Sequence, residues 1–205
     1  DYWFVPVAVA ALVALAMAWG SYYYSDKIIL SMSRAKPVTN ADEPYLWNTV
    51  EGLSIAAGLP MPRPYLIEDS APNAFATGRD PQHAAIVVTR GLLDKLDRLE
   101  LEGVIGHEMA HIKHRDMAII TLLSAIPMIM YWIALSMMWG GAFGGRRGGG
   151  NYAALIGLGA FILYFITNLL VLYGSRIREY YADLGSVQLG SMPHHLATAL
   201  YKLVY

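Results

Sequence analysis

One stretch near the middle of the chain decides its fold, the run His107-Glu108-Met109-Ala110-His111. In an α-helix, residues four apart lie on one face, one turn above each other. His107 and His111 can therefore direct their imidazoles at a single metal ion, and Glu108 lies where it can take a proton from a water beside that ion. Because a pattern with three fixed positions also occurs by chance, the prediction depends on the residues around it.

A second run, residues 175–183, supplies what the first lacks. A catalytic zinc site needs three protein ligands and an open fourth position, and two histidines with one glutamate is a common set. Glu179 and Asp183 share a helix face, so Glu179 can complete the site while Asp183 accepts a hydrogen bond from a ligand imidazole. Alone, this run would indicate carboxylates paired with Arg176 and Arg178 on a solvated helix. With the first run, it predicts a zinc centre.

Three blocks of sequence resemble the HtpX family of membrane-bound zinc endopeptidases, relatives of the CAAX prenyl endopeptidases and of the thermolysin-type gluzincins. The blocks are Asn73-Ala74-Phe75-Ala76-Thr77-Gly78, Gly106-His107-Glu108-Met109-Ala110-His111 and residues 175–183. They follow the family's order, with hydrophobic segments where the family has them. The resemblance implies proteolysis of membrane proteins.

The resemblance also implies a role for each matching residue. Glu108 is expected to be the general base, and His107, His111 and Glu179 are expected to be the ligands of one zinc ion per chain. Asp183 is expected to orient a ligand histidine.

The first block predicts a substrate-binding strand formed by Asn73, Ala74, Phe75 and Ala76. In relatives this strand is the sheet edge beside which an extended substrate pairs, and main-chain hydrogen bonds carry no side-chain preference. The alternative is a short edge strand of small residues that only covers the sheet.

Four other residues are candidates for the site. His114 lies seven residues after His107 on the same helix face and could approach the metal, or else pack at an interface. His194, His195 and Arg176 are candidates for stabilising the oxyanion of the tetrahedral intermediate. The alternative for them is an exposed position, and the sequence does not choose.

Composition indicates a membrane protein independently of any motif. Hydrophobic residues make up 56% of the chain and charged residues 15%, against roughly 45–50% and 25% in ordinary soluble domains. Transmembrane helices are predicted at residues 1–24, 118–139 and 152–173, each about the ~20 residues needed to cross a bilayer. A signal peptide is the alternative for the first, but signal peptides begin with basic residues, and this chain has none before Lys27.

The topology follows from the metal and from charge. Two spans between His111 and Glu179 return the chain to the same side, as a shared metal requires. The positive-inside rule gives the orientation. Basic residues flank the spans on the catalytic side: Lys27, Arg34, Lys36, Lys113, Arg115, Arg176 and Arg178. The opposite side carries only Arg146 and Arg147.

We therefore predict a multi-pass protein of the cell membrane in which residues 25–117 and 174–205 form the cytoplasmic catalytic regions. Residues 140–151 are Gly-rich and predict a flexible connection between two spans. The absence of cysteine from the chain agrees with a cytoplasmic catalytic side.

The predicted fold class is mainly α with a small β-sheet, a gluzincin-like metalloprotease whose active-site helices are continuous with transmembrane helices. The predicted elements of the catalytic region are a helix Pro44–Ala57 ended by Gly58, strands at residues 65–68, 73–76 and 84–89, a helix at residues 91–96, and a helix capped by Asp97 and Glu100 that carries the zinc motif. At ~1.5 Å per residue, unbroken helices would place His111 and Glu179 about 10 Å beyond the hydrocarbon.

The expected substrates are cytoplasmic loops or tails of misfolded membrane proteins, cleaved at the bilayer surface. A CAAX-type prenyl-peptide protease is the alternative enzyme, although such relatives are expected to have more spans. A non-catalytic zinc-binding scaffold would not require Glu108. A transporter would require charged residues or broken helices within the spans, which offer only Asn168 and Pro127. No basic patch with interleaved aromatic residues predicts a nucleic-acid partner.

The sequence is expected to continue beyond both of its ends. No initiator methionine precedes Asp1, and the family usually begins with a pair of hydrophobic segments. At the other end, Leu203-Val204-Tyr205 falls inside a predicted helix.

Overall fold

The computed structural model describes residues 5–143 and 150–204. The elements within these residues are α1 (Val5–Met32), β1 (Lys36–Pro37), α2 (Pro44–Ala57), β2 (Arg63–Ile67), β3 (Ala74–Thr77), a 3-10 turn (Pro81–His83), β4 (Ala85–Thr89), α3 (Arg90–Lys95), α4 (Arg98–Lys113), α5 (Asp116–Phe143), α6 (Gly150–Gln188) and α7 (Pro193–Val204). The mainly helical fold class with a small sheet is confirmed. Half of the predicted Gly-rich connection, residues 144–149 with Arg146 and Arg147, lies outside the described residues, and the other half lies in α5 and α6.

The chain divides into two compact units. One comprises Asp1–Tyr22 and Ile119–Arg176, and the other comprises Tyr23–Ala118 and Ile177–Tyr205.

The first unit contains most of the apolar sequence. Among the described residues, two helices are long and apolar enough to cross a membrane, Asp116–Met138 and Leu155–Gln188, and only 11% of the most apolar window of each is buried. Side chains that are apolar and unburied suit a lipid environment. Residues 5–24 of the predicted first span lie in α1, which continues to Met32, and the crossing of the membrane by this span stays a prediction.

The second unit contains a four-stranded sheet with the order β1-β2-β4-β3. β2 and β4 are parallel and central, whereas β1 and β3 pair antiparallel at the two edges. All five residues of β4 are buried, as is usual for a central strand covered on both faces. The three predicted strands are present with ends shifted by one or two residues, and the two-residue strand β1 was not predicted.

Local signals fix the helices that flank the sheet. α2 has the predicted bounds, with proline in its first turn and Gly58 in the left-handed conformation (φ 67°) at its end. α4 begins with the predicted capping box, because Asp97 accepts hydrogen bonds from the N–H groups of Leu99 and Glu100 at 3.0 Å. The Glu100 carboxylate in turn accepts from the N–H of Asp97 at 2.9 Å.

One hydrophobic core orients the helix that carries the zinc motif. α4 buries Ile105 and Met109 against the sheet, α2 and α7, and both side chains are fully inaccessible. Because Met109 is the third residue of the motif, its burial turns His107 and His111 toward another side of α4, where both are partly exposed. Packing of the core therefore presents both imidazoles on one side of the helix.

The predicted continuity with the apolar helices holds for one active-site helix and is wrong for the other. α6 runs unbroken through Glu179, but α4 ends at Lys113 and α5 begins at Asp116. Between them, Arg115 adopts the left-handed conformation with φ 55°. Basic residues in the last turn of α4 stabilise the C-terminal end of that helix, and an acidic residue in the first turn of α5 stabilises its N-terminal end. The distance of His111 from the bilayer therefore cannot be taken from the rise of one straight helix.

Candidate metal centre

Three side chains of the second unit converge on one point. The Nε2 atoms of His107 and His111 lie 3.2 Å apart, and Glu179 Oε2 lies 3.3 Å from the first and 3.6 Å from the second. Ligands at about 2.0–2.1 Å from a tetrahedral zinc ion are about 3.3 Å from one another. The three donor atoms therefore have the separations that such an ion requires, and the donor set of two imidazoles and a carboxylate suits zinc. Within residues 5–143 and 150–204, these three residues form the one His, Asp and Glu group found able to hold a metal.

The second nitrogen of each imidazole is held by a carboxylate. His107 Nδ1 lies 2.9 Å from Asp183 Oδ1, and His111 Nδ1 lies 2.7 Å from Asp116 Oδ2. A proton on Nδ1 that is donated to a carboxylate leaves the lone pair of Nε2 free for a metal. The structure places Asp183 where the sequence predicts an orienting carboxylate, beside His107.

Asp116 was missed by the sequence reasoning. It is buried, with 5% of its surface exposed, and it pairs with the guanidinium of Arg178 as well as with His111. Arg178 is therefore engaged with Asp116, and not with the carboxylates of its own helix. The only sequence signal for Asp116 is an acidic residue in the first turn of α5, which also stabilises a helix end.

Glu108 lies beside the three ligands and is held by the sheet. Its Oε2 accepts a hydrogen bond of 2.7 Å from the N–H of Ala76, so Oε1 is not used by that bond. Burial raises the pKa of Glu108 to about 7, and nearby Glu179 adds to the shift, whereas His111 opposes it. This pKa is that of the chain without metal, and a cation beside Glu108 would favour the charged form, which is the form that takes a proton from water.

The predicted substrate strand lies at an edge of the sheet, next to β4. Thr89 N–H donates to the carbonyl of Asn73 at 3.0 Å, so Asn73 occupies a position that bonds to β4. In the register of β3 with β4, bonded and non-bonded positions alternate, and Ala74 and Ala76 occupy non-bonded positions. In an antiparallel pair the main-chain groups of alternate residues point away from the partner. Ala74 and Ala76 therefore direct their main-chain groups away from β4. The Ala76 N–H points away from β4 and toward Glu108.

The other candidate histidines are not part of the group formed by His107, His111 and Glu179. The His114 ring lies beside Gly185, where a Cβ would be 3.6 Å from its Cε1, and the carbonyl of His114 accepts from Arg178. His194 and His195 lie on α7, with ring centroids 4.0 Å apart. His195 acts electrostatically on Asp97, at the start of α4 and about 15 Å of helical rise before His107. Arg176 is exposed on α6.

Comparison with known proteins finds peptidases among the relatives of this chain. The profile of peptidase family M48 matches residues 40–204. A "Protease HtpX homolog" of Methanothermobacter thermautotrophicus is 44% identical over 194 residues, which are 95% of this chain and 72% of that protein. Homologs of the same name from Desulfatibacillum aliphaticivorans and Pyrococcus furiosus are each 43% identical over 198 residues, 95% of this chain, and are covered over 64% and 68% of their lengths.

A solved structure has the same fold. The crystal structure of S. mikatae Ste24p superposes with a TM-score of 0.64 at 19% sequence identity. The superposition covers 98% of this chain and 50% of that one.

Proposed function

The chain belongs to peptidase family M48, among the HtpX proteases, and from this premise we propose that it is a zinc-dependent endopeptidase of the cell membrane. Its substrates are exposed loops or tails of misfolded membrane proteins on the cytoplasmic side. The observation that carries the proposal is the triangle of His107, His111 and Glu179, with Glu108 held beside it.

The donor set fits a zinc ion with one open position. Zinc bound to these ligands supplies a Lewis acid that polarises a carbonyl and makes a water a nucleophile near pH 7. His107 and His111 keep Nε2 available because Asp183 and Asp116 hold the opposite nitrogens. A scaffold that only bound zinc would need the three ligands and the two carboxylates that hold the histidines, but it would not need a carboxylate at Glu108.

Glu108 moves the proton of the reaction. The Ala76 N–H fixes Oε2, so Oε1 takes the proton of the attacking water and then gives it to the leaving amine. Fixing a base in this way removes the cost of orienting it during the reaction. The base is thereby positioned by the same strand that is proposed to hold the substrate.

An extended peptide is proposed to pair with β3. The Ala76 N–H is used by Glu108, so the main-chain groups of Ala74 and the carbonyl of Ala76 are the ones that accept a strand of any sequence, because such pairing uses the peptide backbone. A folded domain has no free strand to offer, whereas a locally unfolded loop does. The site should therefore select clients by local unfolding and not by one side chain.

The test of the chemistry is Glu108→Gln in the purified full chain. The amide keeps the shape but cannot accept a proton, so cleavage should fall by about 10²–10⁴-fold, the usual effect of losing a general base, while the zinc content stays at the wild-type level. Glu102→Gln, six residues earlier on α4, is the matched control and should cleave normally. Cleavage by Glu108→Gln at the wild-type rate would show that the mechanism is wrong.

The test of the substrate class uses one membrane-protein client in a stable form and in a form destabilised by a core substitution. Proteoliposomes with the wild-type enzyme should cut the destabilised form faster, at exposed loops or tails. A prenylated C-terminal peptide is the third substrate. Preferential cutting of that peptide would favour the CAAX-type activity instead.

A further inference from the structure

Asp116 connects the metal site to a buried ion pair. Its Oδ2 lies at hydrogen-bond distance, 2.7 Å, from His111 Nδ1, and its Oδ1 pairs with the guanidinium of Arg178. Its side chain is 7% exposed and that of Arg178 is 23% exposed. A buried carboxylate without a cation would be costly, so the position of Asp116 depends on Arg178.

Arg178 also binds the end of the helix that carries both histidines. Its Nη2 donates to the carbonyl of His114 at 3.0 Å, and His114 is the C-cap of α4. Carbonyls in the last turn of a helix lack partners within the helix. One guanidinium therefore joins the end of α4 to the start of α5, and the next residue, Glu179, is the third ligand.

The two imidazole–carboxylate pairs differ in their surroundings. The side chain of Asp183 is 52% exposed and that of Asp116 is 7% exposed. Solvent weakens an exposed charged pair, whereas a buried and fully bonded pair is strengthened by its low dielectric surroundings. His111 is therefore held more firmly than His107.

We propose that Asp116 and Arg178 are positioning residues of the metal centre. Asp116 keeps His111 in the tautomer that presents Nε2 to the metal. Arg178 fixes the position of Asp116, and it fixes the position of Glu179, on α6, relative to the histidines of α4. The proposal rests on the proposed function only in that His107, His111 and Glu179 bind zinc. Of the two carboxylates, Asp116 contributes more to zinc affinity than Asp183.

The primary test is zinc affinity of the purified full chain, measured by competition with a chromogenic chelator. Losing an orienting carboxylate typically costs about 10–100-fold in metal affinity. Asp116→Asn should approach the upper end of that range, about 100-fold, and Asp183→Asn the lower end, about 10-fold. Asp97→Asn is the matched control, because it changes an aspartate at the opposite end of α4 where asparagine caps equally well.

Arg178 is tested through the same affinity. Arg178→Gln should weaken zinc binding, and Arg178→Lys should restore part of the loss, because an ammonium pairs with Asp116 but cannot also span to the His114 carbonyl. The double variant Arg178→Gln with Asp116→Asn should lose less zinc affinity than the product of the two single losses, since both substitutions act through one contact. Arg90→Gln is the control, an arginine that pairs with Glu43 and Glu68 outside the ligand group.

Two further readouts separate positioning from general stability. The absorption spectrum of the cobalt-substituted protein should change in Asp116→Asn and stay the same in Asp97→Asn. Equal zinc affinities for these two variants would overturn the inference, even if both unfold at a lower temperature than the wild type. If Asp116→Asn does not fold, a wild-type affinity in Arg178→Lys and Arg178→Gln overturns it instead.

The proposed function fails by different results. A wild-type chain that binds no zinc contradicts both the endopeptidase and the positioning role, whereas a chain that binds zinc and cleaves no peptide contradicts the endopeptidase alone. Zinc binding that follows the predicted ranking without peptide cleavage would support the positioning role and reject the enzyme.

Discussion

Glu108 is stabilised in its protonated form by its surroundings. Its ordinary pKa is 4.5, and burial raises the pKa to about 7 in the folded chain without metal. A group whose pKa is raised by folding contributes stability that is fully present below the unfolded pKa and is lost as the pH rises through the folded pKa.

This shift predicts the pH dependence of unfolding. In the chelator-treated protein, Glu108 should lower the free energy of unfolding by up to about 3 kcal/mol between pH 4.5 and pH 8, at 1.36 kcal/mol per unit of pKa. Glu108→Gln does not titrate, so above pH 7 it should unfold at a higher temperature than the wild type. The measurement is the melting temperature of both chelator-treated proteins from pH 5 to pH 8.

A melting-temperature difference that does not change with pH would show that Glu108 has an ordinary pKa. Zinc gives an internal control, since a cation beside Glu108 favours its charged form. The advantage of Glu108→Gln at high pH should therefore shrink when zinc is added.

At the scale of the elements, the site depends on where α6 crosses α4. Gly185 permits the close approach, because a Cβ at this position would lie 2.5 Å from the Cβ of Ala110. Asp183 and Glu179 are two and six residues earlier on the same helix. Any displacement of α6 at Gly185 therefore changes the distances from both carboxylates to the histidines of α4.

Gly185→Ala should therefore reduce zinc occupancy and destabilise the protein. Overpacking of this kind costs about 1–3 kcal/mol. Gly52→Ala, in α2, is the matched control, because its Cβ would meet nothing within 4 Å and alanine favours a helix by up to about 1 kcal/mol. The measurements are zinc content by elemental analysis and the melting temperature. Adding Ala110→Gly should restore part of the zinc content, and no restoration would mean that steric contact is not the cause.

The third ligand is the other test at this scale. Glu179→Ala removes one of three protein ligands, so both zinc occupancy and peptide cleavage should fall well below those of Asp183→Asn, which removes only an orienting bond. Tyr180→Ala, an exposed neighbour on α6, controls for changes to the helix itself. Full zinc content in Glu179→Ala would move the third ligand to another residue.

At the scale of the whole molecule, the orientation in the membrane is the main prediction. The chain has no cysteine, so single cysteines report sidedness without background. With a cytoplasmic catalytic side, Glu51→Cys in α2 should resist a membrane-impermeant maleimide in intact cells and react after lysis. Gly148→Cys, between the two apolar helices, should react in intact cells. Labelling of Glu51→Cys from outside would reverse the predicted topology.

The sequence by itself determined the features that depend on neighbours along the chain. The spacing of His107, Glu108 and His111 predicts the first two ligands and the base, and the four-residue spacing of Glu179 and Asp183 predicts the third ligand and its neighbour. The bounds of α2 and the capping box at Asp97 also depend only on residues that are close to one another in the sequence. Helix periodicity, caps and apolar runs are local, so they can be recognised before the chain is folded.

Only the tertiary structure decided the features that join distant residues. Asp116 and Arg178 are 62 residues apart and meet through the packing of separate helices. The break at Arg115 hid Asp116 from a reading based on helix faces, because residues on either side of it no longer share one periodicity. The burial of Asp116 and the exposure of Asp183 likewise follow from packing, which is why two similar carboxylates are predicted to contribute unequally to one metal site.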